Sequence, residues 1–337
     1  MTFSAMALGV NQTRRQFIAV GSSNPQCSAY EFSTAGYGTR WLAGAGNRPG
    51  SVSGNGPSFN PSNSALSFIA DTGIAVYPWP PTGANFPTKY ANPVTMPIAF
   101  GNRGSKFSPS GQTLALGSAV YPWSSSGFGT RYADPVSPDY IADPITWNPQ
   151  ETVIVSAVGG STPYQQAFSW STATGFGTKY ADPATLPPNN TTDVDFSPSG
   201  NDIAFSNVST GPYVTVYPWS SGYGTKYANP VTAIPNNAQS VKFSPSGKDI
   251  AISHATSPFV TAYPWASGFG TKYANALTLL TTQGQTLAFS RTGDAICIGT
   301  TGSPYINTYV WNSTVGFGTK YANPANLPSS VAYVAFG

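Results

Sequence analysis

The sequence predicts an all-β protein, a seven-bladed β-propeller built from four-stranded antiparallel blades. Three observations carry that expectation. A segment of the type GFGTKYANP recurs seven times, its basic residue falling at Arg40, Lys89, Arg131, Lys179, Lys226, Lys272 and Lys320, 42 to 49 residues apart. A fixed period of this size marks a repeat architecture. Each period also holds four short β-type runs and no helical periodicity. Finally, the runs are apolar on both faces, as in IAF at Ile203 and VTV at Val214. One sheet cannot cover two apolar faces by itself, whereas radial stacking of seven sheets buries them and leaves only short, protected edges.

The fifth period shows the grammar of a unit. Asp193 to Phe196 alternates and ends at a Ser-Pro-Ser-Gly turn, where Pro198 presets φ and Gly200 accepts a positive one. Ile203 to Ser206 is a second strand, and Tyr213 to Trp219 a third, rich in β-branched and aromatic residues. A short Ser-Ser-Gly connection leads to a fourth strand carrying Thr225, Lys226 and Tyr227, which Asn229-Pro230 breaks. The first-strand anchor recurs as Phe59, Phe107, Trp147, Phe196, Phe243 and Phe289. The third-strand anchor recurs as Phe32, Trp79, Trp123, Trp170, Trp219, Trp265 and Trp311.

Closure of the ring is legible at the chain ends. VAYVAFG places Phe336 at the repeat distance from Phe289, so it reads as a first strand with no unit following it. The unit beginning at Phe17 lacks a first strand. The C-terminal strand is therefore expected to clasp onto it, with Ser4 to Val10 as the competing candidate. Residues 17–337 then form one propeller domain, and residues 1–16 an N-terminal arm or added edge strand.

Composition excludes several classes. Charged residues make up 8% of the chain and the net charge is +3, with about half of the basic residues spread one per repeat. This is not the clustered basic face of a nucleic-acid binder. No apolar run reaches the length of a membrane span, so no membrane insertion is expected, and the N-terminus has no signal-peptide pattern. Cys27 and Cys297 are too few for a disulfide scaffold or zinc site and read as buried thiols in neighbouring first and last units.

The candidate chemistry is sparse. His254 is the single histidine, in a loop with no nucleophile or carboxylate beside it in sequence. Asp134 and Asp182 share a repeat position with Asn92, Asn229, Asn275 and Asn323, which reads as an Asx turn ending a strand. Asp193, Asp195, Asp202, Asp249 and Asp294 fall on strands and turns without a pattern. Asp139 and Asp143 lack the glycine-bearing loop of a calcium site. GFGTKY precedes no helix and is not a phosphate loop. No catalytic set, cofactor or metal site is expected from these residues.

The turns after strands one and three are uniform, whereas those after strands two and four vary. Variable loops carry recognition, so the expected binding face includes Tyr164, Asn190, Tyr213, Asn237, His254, Phe259 and Tyr305. The ring of seven basic residues on the outer strand is the alternative, either as a binding rim or as a guard against edge-to-edge pairing.

FSPSG followed by an apolar strand and a strand ending in Trp resembles the WD-repeat class of propellers. The Gly-His pair and the Asp of that family's hydrogen-bonded tetrad are absent, so the blades need another device to fix their turns. The YPW and GFGTKYANP variants also resemble WD-like propellers encoded by tailed bacteriophages and prophages. That resemblance implies a non-enzymatic virion protein acting in the tail, in adsorption or on the capsid, with other virion subunits or a host cell-surface glycan as partners. A glycan-binding propeller lectin and an enzyme acting at the central channel are the alternatives.

Overall fold

The computed structural model describes residues 15–23, 26–49, 54–70, 73–97, 104–136, 142–330 and 333–337. Blade one contains β1 (Gln16–Gly21), β2 (Cys27–Ser33) and β3 (Gly36–Leu42), and blade two β4 (Gly54–Phe59), β5 (Ala65–Ala70) and β6 (Gly73–Pro78). Blade three comprises β7 (Ser105–Phe107), β8 (Thr113–Leu116), β9 (Ala119–Ser124) and β10 (Gly127–Phe128). Blade four comprises β11 (Ile145–Trp147), β12 (Val153–Ala157), β13 (Gln165–Ser171) and β14 (Gly175–Lys179). Blades five and six hold β15 (Thr191–Phe196), β16 (Asp202–Asn207) and β17 (Val214–Pro218), then β18 (Ala238–Phe243), β19 (Asp249–His254) and β20 (Val260–Pro264). Blade seven holds β21 (Gly284–Phe289), β22 (Ala295–Thr300), β23 (Ile306–Asn312) and β24 (Gly316–Lys320), and the chain ends with β25 (Tyr333–Phe336).

The clasp forms as expected. β25 pairs antiparallel with β1, Phe336 opposite Ile18 and Tyr333 opposite Gly21, giving blade one the order β25-β1-β2-β3. Phe17 and Gly337 exchange both backbone hydrogen bonds, at 3.1 and 2.8 Å. Blade one has no turn joining its inner strand to its second, and Arg291 crosses that place. Its guanidinium donates to the carbonyls of Pro61 and Asn60 and to Asn63 Oδ1 in the corresponding turn of blade two. The arm expected over residues 1–16 falls largely outside the described residues.

Fourth strands are not equal among the blades. Those of blades one, four and seven run five to seven residues, whereas in blade three the strand is two residues long. In blades five and six it shrinks to the bridges Trp219–Tyr223 and Trp265–Phe269. Proline explains the difference. The third strand carries Glu31, Ser169 or Val310 in the blades with long outer strands, and Pro78, Pro122, Pro218 or Pro264 in the others. A proline there has no N–H to donate and fits a strand only where pairing stops.

Two repeated contacts replace the missing tetrad. The tyrosine two residues before each third-strand anchor is fully buried, and its hydroxyl donates to a carbonyl in the connection entering its own blade. These bonds join Tyr30 to Asn326, Tyr77 to Asn47, Tyr121 to Thr95, Tyr217 to Thr185, Tyr263 to Thr232 and Tyr309 to Thr278, at 2.5–2.8 Å. Blade four has Phe168 at this place. The tyrosine of each KY or RY motif packs edge-on against the next blade's anchor, as Tyr90 on Trp123, Tyr227 on Trp265 and Tyr321 on Phe32, with centroids 5.0–5.2 Å apart. Such pairs add about 1 kcal/mol each beyond area burial. The first glycine of GFG permits this approach. At Gly175 (φ +81°) a Cβ would stand 2.8 Å from the Tyr132 ring.

Candidate active site

The seven inner strands surround a central channel, a cavity of about 640 Å³. Their register is common to all blades. The residue before each first-strand anchor lies opposite the middle of the second strand: Ala335 opposite Ala19, Ser58 opposite Ser67, Lys106 opposite Ala115, Thr146 opposite Val155, Asp195 opposite Ala204, Lys242 opposite Ala251, and Ala288 opposite Cys297. Around this ring the charged residues occupy blades three, five and six, with Thr146 between them on blade four. The remaining blades present Ser58, Ala288 and Ala335.

An inner strand has a free edge, and its outward N–H groups need acceptors. On blades one, three and six they are supplied by side chains of the preceding blade. Phe107 N donates to Ser58 Oγ at 3.1 Å, and Phe243 N to Asp195 Oδ2 at 2.9 Å. Two residues earlier on the strand, Val334 N donates to Thr286 Oγ1 at 3.0 Å, and Val241 N to Asp193 Oδ2 at 3.1 Å. A hydroxyl satisfies these groups as well as a carboxylate does, so the charge on Asp193 and Asp195 exceeds what the strand edge requires.

The two carboxylates differ in how much they are occupied. Asp193 is saturated: Oδ2 also accepts from Ser240 Oγ at 2.5 Å and from Lys242 Nζ at 2.6 Å, while Oδ1 accepts from Val194 N at 2.9 Å. Asp195 gives Oδ2 to Phe243 N, and no hydrogen bond among the described residues engages its Oδ1. Burial raises the Asp195 pKa, with Asp193 adding to the rise, although the ammonium groups of Lys242 and Lys106 and the bond from Phe243 N oppose it. Burial likewise lowers Lys106, against the pull of Asp195 and Asp193 and with the repulsion of Lys242. For Lys242 burial acts downward too, but Asp193 and Asp195 together outweigh it and hold its pKa up. These groups keep contact with channel water, the Lys242 side chain being 24% exposed, so their desolvation is partial.

One fixed anion, one underused carboxylate and two ammonium groups thus converge on one wall. A carboxylate held at raised pKa with a free oxygen can take a proton from water, and a nearby cation can stabilise developing negative charge.

The sequence-predicted binding residues lie elsewhere. His254 is buried, with Nε2 2.8 Å from Thr261 Oγ1, and burial lowers its pKa to about 4. Tyr213, Phe259 and Tyr305 are half-buried and pack into the cores between blades. Asn190 and Asn237 hold the preceding blade's loop through Gly160 N and Ser209 N, and the Tyr164 carbonyl accepts from Val158 N. The basic rim is tied down locally. Arg131 forks onto Asp134, while Lys226, Lys272 and Lys320 donate to Asn229, Asn275 and Asn323. Lys89 reaches the Arg48 carbonyl, Arg40 lies 5.6 Å from the Tyr30 ring centroid, and Lys179 is half-buried. In these four repeats the Asp/Asn position is thus the partner of the basic one.

The other acids separate by geometry. Asp202 accepts from Tyr227 Oη and from Trp265 Nε1 of the next blade, and Asp249 does the same for Tyr273 and Trp311, clamping successive blades. Asp143 accepts from Gly104 N, and Asp139 lies outside the described residues. Along the sequence Asp193 and Asp195 show no local pattern, and no motif there singles out Lys106 or Lys242. The signal was available in the position before each anchor, where charged residues fall on blades three, five and six.

Solved structures share this architecture over nearly the whole chain. The periplasmic gluconolactonase of Pseudomonas aeruginosa matches with a TM-score of 0.69 and 13% identity, covering 96% of this chain and 99% of its own. Candidate 6-phosphogluconolactonases of Bacteroides uniformis and Bacteroides fragilis match with TM-scores of 0.66, at 11% and 9% identity. They cover 96% and 97% of this chain and 99% and 98% of their own. No family model and no curated protein matches the sequence. At these identities the likeness shows a shared fold.

These matches overturn one expectation. The non-enzymatic virion scaffold is set aside, because the three propellers above carry the names of lactonases and the channel holds a polar cluster that the sequence reading missed. The physical reason for the error is that carboxylates distant from other chemistry in sequence converge only when the ring closes. The matches lend no support to WD-repeat membership or a phage relationship. Among the described residues no helix is long and apolar enough to cross a membrane.

Proposed function

We propose that the protein is a hydrolase that opens cyclic esters, of the lactone class, inside its central channel. One observation carries the reading: Asp195 performs the strand-edge duty that Ser58 performs in blade two, yet brings a second, unengaged oxygen into the electrostatic reach of Lys106 and Lys242. The names of the structural neighbours favour a lactone among the possible esters.

The residues suggest the following sequence. Asp195 Oδ1 takes a proton from a channel water while that water's oxygen bonds to the lactone carbonyl carbon. The carbonyl electron pair moves to oxygen, and the Lys106 ammonium stabilises the oxyanion. The pair then returns, the ring C–O bond breaks, and the departing alkoxide takes the proton back from Asp195. The product is an open hydroxy acid, and the carboxylate is restored. Asp193, saturated by its partners, holds Lys242 in place.

The test is lactone hydrolysis followed by proton release above the spontaneous rate, with glucono-δ-lactone, its 6-phosphate and simple δ-lactones. Turnover that Lys106→Met reduces at least tenfold supports the reading. The absence of turnover across this set, or turnover indifferent to both Lys106→Met and Asp195→Ser, refutes it.

A further inference from the structure

The ring that carries Asp195 is divided by character, and the uncharged arc has a shape of its own. At the level where blades three, five and six present Lys106, Asp195 and Lys242, blades seven and one present Ala288 and Ala335, both half-buried at the channel wall. Two alanines facing long charged side chains leave space on their own side. Two residues before Ala335, Tyr333 of blade one also lines the channel, its hydroxyl accepting a hydrogen bond from Gln285 Nε2 at 3.1 Å. The recess is therefore bordered by methyl groups and an aromatic residue.

We infer that this recess binds an apolar substituent on the substrate ring, so that the protein acts on alkyl- or acyl-substituted lactones in preference to fully hydroxylated ones. The inference rests on the channel reading above and deepens it. A hydroxylated ring placed against Ala288 and Ala335 would leave hydroxyls without partners, whose desolvation costs binding. An alkyl group there loses nothing and gains by burial, roughly fourfold per methylene. With the substituent in the recess, the ring lies toward blades three to six, where its carbonyl meets Lys106 and Asp195.

The experiment separates recess from chemistry. Binding of δ-valerolactam and of 6-propyl-δ-valerolactam, amide analogues of the lactones, is measured by calorimetry on the unmodified protein and on Ala288→Leu. Tyr333→Ser, which places the blade-six residue Ser240 at the same register, serves as the second variant. The propyl lactam is expected to bind at least tenfold more tightly to the unmodified protein, and each variant to lose most of that preference. Hydrolysis of δ-octalactone is compared with that of glucono-δ-lactone in parallel, with the alkyl lactone expected to have the higher kcat/KM. Equal affinity for the two lactams, or an undiminished preference in both variants, overturns the recess. Lactam discrimination without any lactone turnover keeps the recess and refutes the hydrolase. Turnover that favours glucono-δ-lactone keeps the hydrolase and overturns the recess.

Discussion

Asp195→Ser tests the channel with little cost to the fold. Serine occupies the equivalent register in blade two, where its hydroxyl accepts from Phe107 N, so it can accept from Phe243 N in the same way. The strand-edge hydrogen bond, with a net contribution of about 1 kcal/mol, is retained. The substitution removes the free carboxylate oxygen and its charge. A positioned general base contributes roughly 10²- to 10⁴-fold to a rate, and the loss in kcat should fall in that range with KM little changed. A lactone assay by proton release, together with a thermal melt of the same preparation, reads both quantities. A variant that keeps its melting temperature and full activity would refute the assignment of the base.

The pH dependence of the same pair gives an independent check. Burial raises the Asp195 pKa, so ionising the group works against the fold. A raised folded pKa contributes stability that is fully present below the unfolded value near 4 and lost as pH rises through the folded one. Unmodified protein should therefore lose stability relative to Asp195→Ser as pH rises through that window. Activity runs in the opposite sense, because the base is competent only when ionised, and kcat/KM should rise with pH through the same range. A stability difference that is flat with pH, measured by urea melts, would show that Asp195 is not strained toward its neutral form.

Three further outcomes follow from other parts of the ring. Lys242→Ala leaves Asp193 with Ser240 Oγ and Val241 N but no cation, and should cost roughly 3 kcal/mol in urea unfolding at neutral pH. The raised Lys242 pKa means that the pair's stabilisation is full below about pH 10 and lost as pH climbs through the raised value, so the deficit of the variant should shrink there. Asp249→Asn weakens the acceptor of Tyr273 Oη, Trp311 Nε1 and Ser313 Oγ and should cost about 2 kcal/mol in the same assay while lactone kcat stays unchanged. Deleting 333–337 removes β25 from β1 and exposes the inner face of blade one, and should lower the melting temperature far more than loss of an equal length of surface loop.

The fold was legible because every structural duty is repeated. Phe196, Trp219 and Gly222 each have counterparts at one spacing, and Phe336 could be placed by counting from Phe289. The clasp followed from the same arithmetic. The uneven outer strands were also written in the sequence, in the proline of YPW at Pro218 and its absence at Ser169, but their meaning depends on which edge that residue faces. The site was not legible by the same means. Its residues are departures from the repeat at a single register, and reading along the chain makes Asp195 a neighbour of Val194 and Phe196, when its working neighbours are Lys106 and Lys242. His254 drew attention as a rare residue type, but its position inside β19 and its bond to Thr261 make it part of the core.

Exchangeability around the ring separates structural from functional polar residues only up to a point. Asp134 exchanges with Asn229, because both accept from a basic residue three positions earlier, and this gives the position a structural duty. Asp195 also exchanges, with Ser58, and by that criterion alone would count as a strand-edge acceptor. What distinguishes it is the remainder after the shared duty is subtracted. In blade two no second oxygen and no charge are left over, since the side chain has a single neutral hydroxyl. In blade five one carboxylate oxygen and a full charge are left over, and the same register supplies Lys106 and Lys242, two ammonium groups that no strand edge requires. A cluster whose charge exceeds its structural work, gathered at a register otherwise occupied by alanine and hydroxyl side chains, is where this ring departs from its own symmetry, and that departure is what a reaction at its centre would need.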